Sequence, residues 1–309
     1  MKRAAVLPAL GIGDGLLMMI ASEQLKAHGY QVTTFHNALP QLSSWFPGHD
    51  LQTLSAEEKV LETLSSYDLI LIENDNSTKV KHLIHHCRKR LSIFYPTYLS
   101  TKHAPLNPMD KVFDPNLPMA DNIAFSIASL LQMQAPSKDN GLTPPSTLKH
   151  RCNKTQVLIH PTSRVPSKNW KASGFIQVAK KLAAQGLKPL FCVSPEEQKA
   201  WGFVQQWDLP LIIAPTLAHL AAIIYESGIV IGNDSLAGHL ASNLHIPSVI
   251  IANDSKRMRL WRPGWLQGQL VLPPFYLPNW KFLRLKENHW QHFITPSKVL
   301  KIFDLLLQN

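Results

Sequence analysis

The stretch "RAAVLPALGIGDGLLMMIASEQL", residues 3–25, decides how the chain is read. An apolar run meets three glycines and one acid, then a second apolar run follows. Asp14 is the only charged residue between Arg3 and Glu23. A carboxylate beside Gly11, Gly13 and Gly15 argues against a secretory signal, whose apolar region is continuous and ends in a small-x-small cleavage site. The pattern instead predicts a strand over 3–9, a tight turn over 10–15 and a helix over 16–27 that buries Leu16, Leu17, Ile20 and Leu25. Asp14 then stands at the carboxyl end of the first strand, the edge where open α/β sheets bind ligands. Locally, capping the helix and acting on a ligand fit this residue equally well.

The same alternation continues along the chain. Strands are predicted over 31–37, 69–74 and 91–96, and a helix over 120–134. The polar stretch "APSKDNGLTPPSTLKHRCNK", residues 135–154, is rich in Pro, Gly and Ser and reads as an interdomain linker. The series then restarts, with strands over 156–161, 188–194, 209–215, 228–233 and 248–253. Helices are predicted over 171–185, 195–205, 217–226 and 235–244, and an amphipathic helix over about 296–308 closes the chain. Two successive βαβ series predict an α/β protein of two Rossmann-like domains, 1–145 and 146–309, with parallel sheets facing a central cleft.

Composition bounds the function. A chain of 309 residues with 45% hydrophobic content supports two full cores. No apolar stretch reaches the roughly 18 residues of a spanning helix. Cys87, Cys152 and Cys192 are odd in number and widely spaced, which fits neither a disulfide framework nor metal-ligand spacing and points to a reducing compartment. The formal charge of +10 suits an acidic partner, whether nucleic acid, an anionic membrane or a phosphorylated substrate, and equally suits plain solubility.

Three segments carry candidate chemistry. "HPTSRVPSKNW", residues 160–170, follows a strand and offers the Thr162 and Ser163 hydroxyls with Arg164 and Lys168, groups that suit a diphosphate. "IGNDSLAGHLA", residues 231–241, runs from a strand through Asn233, Asp234 and Ser235 into a helix bearing His239. Ser235 is a good N-cap, and the helix N-terminus favours an anion. Asp234 would repel a phosphate, so it reads as a cap or as a partner for a sugar hydroxyl. "SPEEQ", residues 194–198, places Glu196 and Glu197 at the same edge, either as nucleoside contacts or as ordinary first-turn acids.

Taken in order, these segments resemble glycosyltransferase family nine, the heptosyltransferases. The family's H-P-G-x-x-x-x-S-K-x-W is matched by "HPTSRVPSKNW", its P-x-[DE] by "PEE", its N-D-S-x-x-x-H by "NDSLAGH", and its Gly-Asp pair by Gly13-Asp14. The resemblance implies a GT-B architecture and an inverting, metal-independent enzyme with no bound cofactor. Such an enzyme moves a sugar, typically heptose from ADP-heptose, onto a lipopolysaccharide core. It implies Asp14 as the catalytic base and Thr162, Ser163 and Lys168 at the donor diphosphate. Asp234, Ser235 and His239 would line the donor site, and Glu197 would contact the nucleoside. The expected partners are a nucleotide sugar, an acidic lipopolysaccharide-type acceptor and an anionic membrane surface, in the cytoplasm and at the inner face of its membrane. The chain departs from the pattern at Leu236 and Thr162, where the family has Gly, and at Val193-Ser194-Pro195, where it has Gly-Gly-Pro.

Three other readings compete. A nicotinamide oxidoreductase fits "GIGDG", but the fingerprint needs Gly where Leu16 stands and an acid ending the second strand, which ends "FHNALP". A non-catalytic nucleotide-sugar binding protein of the same fold is disfavoured by the presence of Asp14, Lys168 and His239. Nucleic-acid binding is suggested by "KVKHLIHHCRKR", residues 79–90, but that segment reads as a helix with a solvated basic face and no aromatic reading element.

Overall fold

Arg3–Leu7 form β1, buried from Ala4 onward, and Ile12–Ala27 form α1 in the computed structural model, which describes residues 1–54, 59–274 and 289–308. The helix begins at Ile12, not at 16. Gly11 is its N-cap, and Gly15 N–H already donates to Gly11 O at 3.0 Å. Asp14 is therefore the third helical residue rather than a cap. Its carboxylate fills the space that a Cβ on Gly11 would occupy.

The chain divides into two compact units, Met1–Thr143 and Pro144–Asn309. In the first, β1 is joined by β2 (Gln31–Phe35), β3 (Asp50–Gln52), β4 (Leu69–Glu73), β5 (Leu91–Tyr95) and β6 (Lys111–Val112). All pairings are parallel, in the order β3-β2-β1-β4-β5-β6. Helices α2 (Val60–Leu64), α3 (Thr78–Cys87) and α4 (Met119–Leu131) accompany the sheet, and α4 packs on α1. The central strands are buried on both faces, as helix-covered parallel sheets require.

The second unit repeats the scheme. Its strands are β7 (Asn153–His160), β8 (Lys188–Val193), β9 (Leu211–Ile213), β10 (Ser227–Asn233), β11 (Ser248–Ile251) and β12 (Gln269–Val271). They lie parallel in the order β12-β11-β10-β7-β8-β9. Helices α5 (Ala172–Ala184), α6 (Gln198–Trp201), α7 (Leu217–Glu226), α8 (Leu236–Asn243), α9 (Ser255–Trp261) and α10 (Pro296–Gln308) complete it. In each unit the strand order reverses at the centre, between β1 and β4 and between β7 and β10. Those are the points where such sheets bind ligands.

Two further expectations change. The helix expected over 195–205 is the short α6 between two 3-10 turns, Pro195–Glu197 and Gly202–Trp207. The stretch read as a linker contains the boundary between the two units, and its first half is anchored: Asn140 is buried and donates to Leu16 O at 3.2 Å, and Gln24 holds Asp139 O at 3.1 Å. Its end, Asn153–Lys154, already belongs to β7. The short edge strands β3, β6 and β12 and the helix α9 carry no apolar period long enough to be read in advance. Cys87, Cys152 and Cys192 are unpaired, and burial pushes the Cys192 thiol up to about 12, so it stays protonated.

Candidate functional site

In the second unit, one side chain ties the two central loops together. Asn233, the last residue of β10, is fully buried. Its Nδ2 donates to Pro161 O at 2.6 Å, and its Oδ1 accepts the Trp170 N–H at 2.9 Å. This holds "HPTSRVPSKNW" against "NDS". Trp170 anchors the far end of that loop in the core, with its indole N–H shared by Ile294 O and Gln291 O. Gly174 leaves the space that its ring fills.

The loops bring Lys168 to Asp234, Nζ to Oδ2, at 2.9 Å. A second cation, Arg257 from α9, approaches the same oxygen at 3.4 Å. Sequence reasoning missed Arg257, because α9 is short; the sequence signal was Asp254, which caps it by accepting the Lys256 N–H at 2.8 Å. The trio carries one negative and two positive charges, so the repulsion that Asp234 alone would exert on a phosphate is more than compensated.

Beside the trio lies the N-terminus of α8. Ser235 is its N-cap, but its side chain makes no capping bond. Ser235 Oγ and His239 Nδ1 are both buried with no hydrogen-bond partner among the described residues. Buried polar atoms are normally paired, and such exceptions need an explanation. Burial holds the His239 imidazole below its usual range, with Lys168 and Arg257 adding to the effect and Asp234 opposing it. His239 is thus a neutral hydrogen-bonding group rather than a charge.

The remaining expected contacts are already engaged inside the protein. Thr162 Oγ1 donates to Glu197 Oε2 at 3.0 Å, and Ser163 Oγ donates to Asn169 Oδ1 at 2.7 Å. Glu197 also accepts the Ser194 N–H at 3.0 Å, which closes a capping box at the start of its turn. Leu236, where the resemblance implies Gly, is the first residue of α8 and is partly exposed.

In the first unit, Asp14 stands in the first turn of α1, just after β1. A second carboxyl, missed from sequence, stands at the end of the neighbouring strand β4. Glu73 is 2% exposed, and its Oε2 accepts the Ala9 N–H at 3.2 Å. Burial, and then the charge of Asp14, push its carboxyl well above the usual carboxylate range. A cavity of about 350 Å³ opens at the same edge, lined among others by Leu10, His36, Asn37 and Lys79.

Two parallel six-stranded sheets of Rossmann-like order, each with candidate ligand groups at its switch point, form the α/β architecture of the GT-B fold. Residues 119–263 match the profile of "Glycosyltransferase family 9 (heptosyltransferase)", in agreement with the resemblance carried by the motifs. The fold matches the ADP-heptose LPS heptosyltransferase II of E. coli, with a TM-score of 0.71 at 17% identity, over 100% of this chain and 99% of the other. It also matches E. coli heptosyltransferase WaaC with ADP-2-deoxy-2-fluoro heptose (TM-score 0.73, 13% identity, 98% and 99% covered). A third match is a family 9 glycosyltransferase from Veillonella parvula (TM-score 0.65, 20% identity, 99% and 97% covered). No curated protein matches the chain in sequence. The family profile indicates a glycosyltransferase, and these structures share its fold.

Proposed function

We propose that the protein transfers a heptose from ADP-heptose onto a lipopolysaccharide core acceptor, inverting the anomeric centre and using no metal. The carrying observation is the group at the β7/β10 switch point: Lys168 and Arg257 on Asp234, beside the unpartnered Ser235 Oγ and His239 Nδ1. A nucleoside diphosphate leaves with negative charge. Lys168, Arg257 and the free N–H groups of α8 supply the positive field and donors that stabilise that charge as the anomeric bond breaks. Asp14 takes the proton from the acceptor hydroxyl as the new bond forms. Glu197 contacts the nucleoside, and Thr162 and Ser163 meet the diphosphate by exchanging their internal bonds.

A thermal-shift panel of ADP-, UDP-, GDP- and CMP-linked sugars tests the donor, since a ligand that binds only the native state raises its stability. The ADP-linked heptose should give the largest shift; a larger shift from another nucleotide would replace that donor. Lys168→Ala should weaken donor binding by about 1–3 kcal/mol, the scale of a charge-assisted hydrogen bond. Equal affinity by calorimetry would remove Lys168 from the site. A non-catalytic binder of the same fold would pass both tests and show no turnover.

We place the protein in the cytoplasm, peripheral to an anionic membrane face. Among the described residues no helix is long and apolar enough to cross a membrane. The basic cluster at α3 is smaller than the sequence implied. Arg88 forms a bidentate pair with Asp110, and Arg90 donates to the carbonyls of Leu64, Ser65 and Tyr67 after α2. Lys79, Lys81 and Lys89 remain for a surface. Sedimentation with anionic vesicles should therefore be weak and should fade as salt rises; no preference for anionic lipid at low salt would overturn the reading.

A further inference from the structure

We propose that Glu73 is a positioning residue for Asp14: a buried carboxyl whose bond to the Ala9 N–H fixes the turn from which Asp14 acts. The inference rests on the reading of Asp14 as the base. Two contacts bring both carboxyl groups onto one short segment, residues 9–14. Glu73 Oε2 accepts the N–H of Ala9 just after β1, and the Asp14 carboxylate folds back over Gly11. The two strands that carry this turn and Glu73 are direct neighbours, Leu7 opposite Ile72.

Elementary electrostatics assigns the protonation states. Two carboxylates at one sheet edge disfavour each other's ionisation, and the more buried group keeps the proton. Glu73 is buried, whereas Asp14 is partly exposed at a helix N-terminus, which favours its anion. The charges around Glu73 point the same way. Asp14 on α1 and Asp75 on the loop after β4 both raise it, and the Ala9 N–H, which favours the anion, is outweighed. Lys79 on α3 and His36 after β2 line the cavity at this edge. A neutral Glu73 leaves a single negative charge at the turn, on the group that must take the acceptor's proton. Ionising it would add a second, buried anion beside Asp14.

Infrared spectroscopy tests the protonation directly. At neutral pH the wild type should show a protonated-carboxyl band that is absent from E73Q. In D14N that band should vanish at lower pH than in the wild type, because the charge that helps hold the proton is gone. For turnover, E73A should lose roughly 10²-fold, the scale of a small misplacement of a reacting group, while donor affinity holds. E73Q, which mimics the neutral acid and keeps an acceptor for Ala9 N–H, should recover most of that loss. Absence of the band from the wild type, an unshifted band in D14N, or E73Q as impaired as E73A would each overturn the proposal. The two failures are distinguishable: near-normal turnover in D14N removes the base, whereas the infrared result reports on Glu73 whatever Asp14 does.

Discussion

Asp14→Asn should lower sugar transfer by roughly 10²–10⁴-fold, the usual contribution of a positioned base, while donor affinity is unchanged. Asn matches the carboxylate in size but cannot accept the proton. The donor groups Lys168, Asp234, Ser235 and His239 all belong to the second unit, so they are untouched. The cost to stability is small. Gly11, not Asp14, is the N-cap, so the variant removes no cap, and the favourable charge it loses in the first helical turn is worth about 0.3–1 kcal/mol. Turnover, donor calorimetry and melting temperature on one variant check all three statements. Near-normal turnover would sink the catalytic assignment and leave Asp14 a helix-terminus charge.

Asn233→Ala should destabilise the second unit by about 2–6 kcal/mol. The substitution strands the Trp170 N–H and the Pro161 carbonyl in a buried place, and an unsatisfied buried group costs about 1–3 kcal/mol each. It also frees the Lys168 loop from the α8 loop, so donor binding should weaken as well. Scanning calorimetry with and without nucleotide sugar reads both effects. A loss under about 1 kcal/mol, within reach of an ordinary surface change, would show that other contacts hold the loops together.

Much of the fold was legible because it rests on local pattern. The apolar run of β4, and Val157–Ile159 within β7, stand out by hydrophobicity alone. Helix α7, expected over 217–226, spans Leu217–Glu226, because Thr216 caps it by accepting the His219 N–H and its period is regular. Edge strands β3 and β6 have two or three residues and no period. Their pairing depends on the neighbour that offers free backbone groups, which is a tertiary fact. The start of α1 was misplaced for a related reason: Gly11–Gly15 read as a turn, and packing against Leu39 and His36, which nearly touch the place where a Cβ on Gly15 would lie, overrides glycine's weak helix preference.

By itself the sequence determined the two parallel βαβ series, the residues standing at their strand ends and the family that these resemble, because strand ends and helix starts are fixed by periodicity and capping chemistry within a few residues. Only the tertiary structure decided what those residues touch. It set Arg257 on Asp234, gave Glu197 a capping-box bond to the Ser194 N–H, spent Arg88 and Arg90 on internal contacts, buried Asn140 and placed Glu73 beside the turn of Asp14. Each of these is a contact between residues 22 or more positions apart, or a burial that such contacts create, except the capping box, whose partner lies three residues away. Charge, hydrogen bonding and desolvation act over a few ångströms in space, and no spacing along the chain records which distant groups will share that distance.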